Sequence, residues 1–387
     1  MNSAVRTRPE LATRMDTLPA YVFQDLAREL ERRRAAGADI IVLGMSDPDL
    51  PPPRRALLSL TEAVHQADAH RYPPYPGTRA LREAVAGWYQ RRFHVTLDPD
   101  HEILITQGSK EVLVHLALAL TNPHDVVLVP DPGYPAYLMA GALFGAANVP
   151  VPLRLEGDGG PDFDAVPPDA LRRARLLYVN YPNNPAGCLA PAGLYEELSA
   201  WAMSQGMVIV SDLAYADLVY DGQATSLLAV EEARPWCLET VTWSKTYSMQ
   251  GWRVGALAGD ARLVAAVARI EANINAGVFL PIQAGAVSAI AEPLAPKILA
   301  RYRTRRDRAV RILAEAGLPV RTPPAGVYLF VRAPGCDGTA YARAALERGV
   351  AVTPGAAFGP HGHAYVRISL THPDERLEEG IHRLVSH

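Results

Sequence analysis

The stretch that decides the fold begins at Glu102 and contains five apolar runs, EILIT (102–106), DVVLVP (125–130), ANVPVPL (147–153), RLLYVN (175–180) and MVIVSD (207–212), with segments of helical pattern among them. Two more runs follow, TVTWS (240–244) and VGALAGD (254–260). Val, Ile and Leu runs that alternate with helices are typical of an α/β fold, in which helices cover both faces of a mostly parallel sheet. Ligands of such sheets bind beyond the carboxyl ends of the strands, so the residues that follow these runs are candidates for a site.

The sequence on either side of this stretch predicts further elements. Toward the N-terminus lie a helix at 23–34, a strand at 40–44 and an amphipathic helix at 78–93. From about Ala261 we predict two long helices, separated near 277–281, of which the second runs toward Leu318. The remaining pattern is strand (327–333), helix (338–348), two strands (350–354 and 364–370) and helix (374–385), which indicates an α+β domain.

Composition excludes several classes of partner. The 387 residues carry 38 Lys and Arg against 41 Asp and Glu, a net charge of −3, which gives no basic footprint for nucleic acid or an anionic membrane. The longest apolar runs fall short of a membrane span, and the first fifteen residues lack the apolar core of a signal peptide. The three cysteines have no metal-site spacing and are interpreted as reduced thiols. We therefore expect a cytoplasmic enzyme that acts on small molecules.

Polar residues follow five of the predicted strands, and they share one edge of the sheet. These groups are Gly108-Ser109-Lys110, Asp131 to Tyr134, Asn180 to Asn184, Asp212 to Tyr215 and Ser244-Lys245. Arg253 and Arg367 lie in or beside other apolar strands, where an arginine needs an anion. The sequence therefore predicts a site at this edge.

Each feature alone has a second interpretation. The turn at 108–110 favours either an anion-binding nest or an ordinary helix cap. Asp212 fits a functional carboxylate, a helix cap or a buried salt bridge, whereas Lys245 fits either Schiff-base chemistry or a surface position. The pair His361 and His363 has no carboxylate or cysteine neighbours in sequence, so we predict loop residues and no metal site. In combination, a lysine, an acid, an anion nest and two arginines match the protein groups that pyridoxal phosphate requires.

With these motifs, nearly the whole chain resembles the class I/II aminotransferases of fold type I. The resemblance rests on an ordered series of motifs: YPPYPG (72–77), GSK (108–110), DPGYP (131–135), NNPAG (183–187), DLAY (212–215), SKTYSMQGWRVG (244–255) and YVRIS (365–369). It implies a large cofactor domain over 49–290, with a seven-stranded sheet, and a small domain made from 1–48 and 291–387. It also implies a homodimer with shared active sites.

The resemblance assigns roles to residues of this sequence. Lys245 would hold pyridoxal phosphate as an internal aldimine and then act as the general base in a ping-pong reaction between an L-amino acid and a 2-oxo acid. Asp212 would pair with the pyridinium nitrogen, and Arg367 would bind the substrate carboxylate. The other implied cofactor contacts are Tyr72 from a second subunit, Gly108, Ser109, Lys110, Tyr134, Asn184, Tyr215, Ser244 and Arg253.

Within the class, the chain is most similar to the branch of LL-diaminopimelate, aspartate and alanine aminotransferases, which implies a substrate of one of these types. Substrate contacts are expected from Tyr21, Ser46, Tyr75 and Asn184 in addition to Arg367. Ser46 replaces a usual glycine, and Tyr75 stands where the stricter diaminopimelate enzymes have an acid. A lyase of the same fold, such as a C–S lyase or an aminocyclopropane-carboxylate synthase, would share every cofactor contact and stays open. A non-catalytic regulator would need a DNA-binding extension, for which the N-terminus offers only about twenty residues.

Overall fold

The computed structural model describes residues 11–18, 22–318 and 320–386, and its centre is a seven-stranded sheet. The strands are β1 (Ile41–Val42), β2 (Ile103–Thr106), β3 (Val126–Asp131), β4 (Ala147–Pro152), β5 (Ala174–Val179), β6 (Val208–Asp212), β7 (Cys237–Thr242), β8 (Gly255–Gly259), β9 (Tyr328–Arg332), β10 (Val350–Ala351), β11 (Thr353–Pro354) and β12 (Tyr365–Ser369). The large sheet has the order β2-β8-β7-β6-β5-β3-β4, and β8 alone runs antiparallel to its neighbours. The prediction of a mostly parallel seven-stranded sheet is therefore confirmed.

Helices cover the large sheet, and those toward the C-terminus pack on β1 and on strands β9 to β12. They are α1 (Arg14–Thr17), α2 (Val22–Ala35), α3 (Arg54–Val64), α4 (Arg79–Phe93), α5 (Ser109–Leu120), α6 (Pro135–Ala140), α7 (Pro168–Arg173), α8 (Leu194–Gln205), α9 (Ala261–Ile274), α10 (Leu280–Ile290), α11 (Pro296–Glu315), α12 (Gly338–Glu347) and α13 (Asp374–Val385). Among them, none combines the length and the apolar character that crossing a bilayer requires.

Strand β3 illustrates why the central runs are continuously apolar. Val126 and Leu128 belong to one hydrophobic cluster, whereas Val127 and Val129 belong to another. Since successive side chains of a strand point to opposite faces, the two clusters lie on opposite sides of the sheet. Burial on both faces favours apolar side chains along β3, and Asp131 ends the strand at the edge of the sheet where the site forms.

The C-terminal part of the chain forms a second hydrophobic unit together with a piece of the N-terminus. Its antiparallel sheet has the order β11-β12-β9, and β1 pairs in parallel with β10. Ile41 and Leu43 lie in the same core cluster as Leu329 and Ile368. This shared core supports our division of the chain into a large domain (49–290) and a small domain (1–48 and 291–387), which stays a proposal.

One predicted element is wrong in the region that joins the two units. The second long helix, expected to run without a break toward Leu318, is two helices, α10 and α11, separated by residues 291–295. Pro293 lies in this break and Pro296 is the first residue of α11. Proline cannot donate a backbone hydrogen bond inside a helix but is well suited to its first turn, so the chain ends one helix and starts another here.

Candidate active site

A cavity of about 610 Å³ opens at the carboxyl edge of the large sheet, between the two hydrophobic units. It brings together residues from distant parts of the sequence, as the strand-end pattern predicts. The predicted residues that line it are Ser46, Ser109, Lys110, Tyr134, Asn184, Asp212, Tyr215, Ser244, Lys245, Arg253 and Arg367. Gly108 lies directly beside it as the N-cap of α5.

Lys245 lies three residues beyond the end of β7 with its amine inside the cavity. Its Nζ donates a hydrogen bond of 2.7 Å to the backbone carbonyl of Ser46. Desolvation lowers the pKa of this ammonium group, and the nearby charges of Arg367 and Arg253 lower it further. A lysine with a lowered pKa has more of its neutral amine, which is the nucleophilic form. The alternative of a surface lysine is therefore wrong.

Asp212 ends β6 as a carboxylate with 3% of its surface exposed. It accepts hydrogen bonds from the Tyr137 hydroxyl (2.8 Å) and the backbone N–H of Ala214 (3.2 Å). Burial raises the pKa of this carboxyl above its usual range, although these hydrogen bonds oppose the shift. Among the described residues it has no salt-bridge partner, so a buried salt bridge does not explain it. A carboxylate placed in this way can pair with a cationic group of a ligand.

The turn before α5 forms an anion cradle with Arg253. Gly108, at a φ of +79°, is the N-cap, and no side chain caps the helix. A Cβ at this position would lie 2.5 Å from Nη2 of Arg253, so only glycine lets the guanidinium approach the turn. Arg253 donates to the carbonyls of Gln250 (3.0 Å) and Gln107 (3.2 Å) and forms no ion pair within the described ranges. The first turn of α5, its dipole and this cation favour a phosphate-like anion.

Arg367 lies on β12 with 3% of its surface exposed. It donates to Asn184 Oδ1 and to the carbonyl of Gly44, both at 2.9 Å. Its guanidinium carbon lies 4.1 Å from the centre of the Tyr328 ring and 4.7 Å from that of Phe358. The two rings and two neutral oxygens hold the guanidinium in one orientation, as a bidentate carboxylate site requires.

Among the cavity residues that were not predicted as site residues, three hold predicted ones in place: Tyr137, Asn180 and Tyr328. Tyr137 holds Asp212, and Asn180 donates from Nδ2 to the Asp212 carbonyl (2.7 Å). Tyr328 contacts Arg367 and lies 3.1 Å, hydroxyl to hydroxyl, from Tyr215. Burial alone would raise the pKa of Tyr328, but Arg367 and Lys245 outweigh this effect and lower it. Asn180 belonged to a strand-end group that could have indicated it, whereas Tyr137 and Tyr328 lie inside apolar segments with no such signal.

Two predicted contacts, Tyr72 and Tyr75, lie outside this cavity, and a third is not described by the structure. Tyr72 and Tyr75 have 88% and 62% of their surface exposed and lie outside the cavity of their own chain. Tyr21 falls outside the described residues. The prediction that Tyr72 serves the site of a second subunit stays a prediction, and the exposure of both tyrosines is consistent with it.

Asn275 occupies a polar cluster between α5 and α9. Its Nδ2 donates to Glu111 Oε1 (3.1 Å) and to Glu271, whose other oxygen lies 2.6 Å from Nδ1 of His115. Glu111, His115 and Glu271 are close enough to hold a metal ion, a grouping that sequence spacing did not indicate. The Asn275 amide already donates to two of these carboxylates, so a hydrogen-bond network accounts for the cluster without a metal. The side-chain oxygen Oδ1 of Asn275 also accepts from the N–H of Gly277 (2.9 Å), which shapes the turn into α10.

We expect the substitution Asn275→Asp to destabilise the protein by about 1–3 kcal/mol at neutral pH. The aspartate carboxylate has no N–H group to donate to Glu111 and Glu271, and its negative charge would lie beside their two carboxylates. Thermal unfolding at pH 7 measures this effect. Asn273→Asp, on the exposed side of α9, is the matched control. Equal melting temperatures for the two variants would contradict the network.

The comparisons with known proteins agree on one family. A family model described as aminotransferase class I and II matches residues 38–384. The LL-diaminopimelate aminotransferase of Dehalococcoides mccartyi is 38% identical over 382 residues, which cover 97% of this chain and 98% of the relative. The enzyme of the same name from Nitratidesulfovibrio vulgaris is 39% identical over 384 residues, 97% and 99% of the two chains. Among solved structures, apo-BacF from Bacillus subtilis superposes with a TM-score of 0.93 at 31% identity and covers 98% of both chains.

Proposed function

Since the chain belongs to the class I and II aminotransferases, which are pyridoxal-phosphate-dependent enzymes, we propose that Lys245 carries this cofactor and serves as the general base of transamination. The observation that carries the proposal is the amine of Lys245, desolvated and with a lowered pKa, in the same cavity as Asp212 and Arg367. No other residue type could form the required imine.

The groups around the cavity fit the cofactor. Asp212, a buried carboxylate without a salt bridge in the described part of the chain, suits a protonated ring nitrogen. The cradle of Gly108, Ser109, Lys110 and Arg253 suits a phosphate, and Ser244 lines the same cavity. We assign Tyr134 to the ring face, and Asn184 and Tyr215 to the phenolic oxygen. When bound, pyridoxal phosphate withdraws electrons from the α-carbon of an amino acid and makes its proton acidic.

The chain then has to orient the amino acid and move that proton. Arg367 binds the α-carboxylate, and its fixed guanidinium sets the direction in which the α-carbon faces Lys245. The Lys245 amine would take the proton from the α-carbon and deliver it to carbon C4′ of the cofactor, which needs a base that is neutral near pH 7. Loss of the 2-oxo acid and the reverse path with a second oxo acid give ping-pong kinetics.

For the amino donor we propose a diaminopimelate-like amino acid, ahead of aspartate and alanine. The support is the set of relatives named LL-diaminopimelate aminotransferase at 38% and 39% identity over nearly the full chain. Ser46 lines the cavity, and its backbone carbonyl accepts a hydrogen bond from Lys245, so we assign Ser46 to the part of the cavity that binds the substrate. Tyr75 has no carboxylate that could bind the distal ammonium group of such a substrate, so other groups must bind that end.

We also propose a homodimer in which the two active sites share residues. Tyr72 and Tyr75 are large side chains on a mostly exposed turn and do not line the cavity that the described residues of their own chain form. Gly277, at a φ of +88°, lies against the same turn, with its position for a Cβ 3.0 Å from Cγ of Pro73. A second copy that covers this turn would bring Tyr72 to the phosphate and Tyr75 to the substrate.

A panel of amino donors and oxo-acid acceptors tests the function. We expect stoichiometric conversion of the donor to its 2-oxo acid, parallel double-reciprocal plots, and the highest kcat/KM with LL-diaminopimelate. A reversible blue shift of the cofactor absorption should accompany the donor half-reaction. Release of ammonia and pyruvate without this reversible shift would indicate the lyase instead. A higher kcat/KM with aspartate or alanine would contradict the substrate but leave the reaction in place.

A further inference from the structure

His361 lies on the loop 355–363 of the small sheet and contacts the end of β3 in the large one. Its Nδ1 is 2.6 Å from Asp131 Oδ2, and its backbone N–H donates to the two carboxylate oxygens at 3.2 and 3.3 Å. The Asp131 side chain is fully buried, whereas that of His361 is 51% exposed. Burial raises the pKa of the Asp131 carboxyl, and His361 opposes this shift. A buried carboxylate therefore depends on one loop for its partners.

The loop is fitted closely to this carboxylate. A Cβ at Gly359, whose φ is +123°, would overlap Oδ1 of Asp131. The N–H of Gly133 donates to the carbonyl of Phe358 at 2.8 Å, so the backbones also join on the other side of the contact. Glycine at 359 is thus required both for its conformation and for the approach of Asp131.

This contact lies between two parts of the active site. Asp131 begins the turn that carries Tyr134 into the cavity. Phe358, fully buried and three residues before His361, lies on the guanidinium of Arg367. A shift of the loop would therefore move one of the two rings that fix Arg367.

We propose that His361 is a positioning residue for the substrate-binding arginine. By binding Asp131, it holds the 355–363 loop against the end of β3 and keeps Phe358 on Arg367. We call this His361–Asp131 contact the clasp. The role of Arg367 in this statement rests on the proposed function. Arg367 holds the α-carboxylate both before and during the reaction, so a displaced guanidinium should mainly weaken substrate binding and raise the KM.

The test compares His361→Ala with His361→Asn, whose amide can still donate to Asp131, and with His363→Ala, an exposed neighbour. In His361→Ala we expect the KM for the amino acid to rise roughly tenfold with kcat within about twofold, the pattern of lost uniform binding. His361→Asn should restore most of the affinity, and His363→Ala should match the parent. Hydrogen exchange of residues 355–363 in the cofactor-free protein should increase in His361→Ala alone.

Arg367→Gln separates the two proposals. If this variant leaves the KM unchanged, the assigned role of Arg367 is wrong. If Arg367→Gln raises the KM but His361→Ala raises neither the KM nor the exchange rate of the loop, the clasp is wrong and the proposed function stands. An equal fall of kcat and of the melting temperature in His361→Ala and His361→Asn, with no change of KM, would also overturn the clasp.

Discussion

Replacement of Lys245 by alanine is expected to reduce kcat/KM by roughly 10⁴-fold or more, the upper end of what a positioned proton-transfer group contributes. The variant loses both the amine that carries the cofactor and the base that takes the α-proton. Burial around Lys245 lowers its pKa, so in the parent enzyme the neutral amine is available at a lower pH than for an ordinary lysine. Single-turnover and steady-state rates with the best donor of the panel measure the effect.

The chain offers a matched control because it contains three lysines, Lys110, Lys245 and Lys297. Lys297 is exposed on α11 and outside the cavity, so Lys297→Ala should keep the parent rate. Borohydride reduction followed by peptide mass analysis should find the cofactor mass on the peptide with Lys245. Cofactor mass on the Lys110 peptide, or turnover of Lys245→Ala at the parental rate, would refute the assignment.

Much of the site is predictable from the sequence because ligands of a parallel sheet bind beyond the carboxyl ends of its strands. Ser109, Asp212 and Lys245 follow strands of one sheet, and the carboxyl ends of parallel strands meet at one edge. Their convergence in one cavity therefore follows from the apolar runs alone. The antiparallel strand β8 does not disturb this rule, because Arg253 precedes the strand and so starts from the same edge.

Contacts between residues far apart in the sequence are what the sequence does not predict. His361 reads as an ordinary loop residue because its partner, Asp131, is 230 positions away. Tyr328 reads as a core residue of β9, and only the folded structure shows its ring on Arg367. The break between α10 and α11 was missed for a different reason: Pro293 and Pro296 carried a local signal that the apolar periodicity outweighed. Pairings over long sequence separations have no local pattern, so they require the fold.

Replacement of Asp212 by asparagine is the second change with a large expected effect, a loss of roughly 10²–10³-fold in kcat/KM. The amide has nearly the shape of the carboxylate and can keep contacts with Tyr137 and the N–H of Ala214. It lacks the negative charge that stabilises a protonated ring nitrogen, which is the state in which the cofactor withdraws electrons. Rates of the donor half-reaction measure this loss.

Stability distinguishes a functional carboxylate from a structural one at this position. Burial raises the pKa of Asp212 in the folded protein, so ionisation of this carboxyl costs stability: the cost is absent below the ordinary pKa of an aspartate, grows toward the raised pKa and is complete above it. In cofactor-free protein at neutral pH, Asp212→Asn should therefore melt at the same temperature as the parent or higher. Asp217→Asn is the matched control: burial also raises the pKa of Asp217, but this residue accepts from Trp88 and pairs with Arg92 outside the cavity, so the variant should keep its activity. A lower melting temperature of Asp212→Asn together with unchanged kcat/KM would show that Asp212 only stabilises the fold. A functional carboxylate instead costs stability in the cofactor-free protein and contributes strongly to the rate, because its charge acts on the bound ligand.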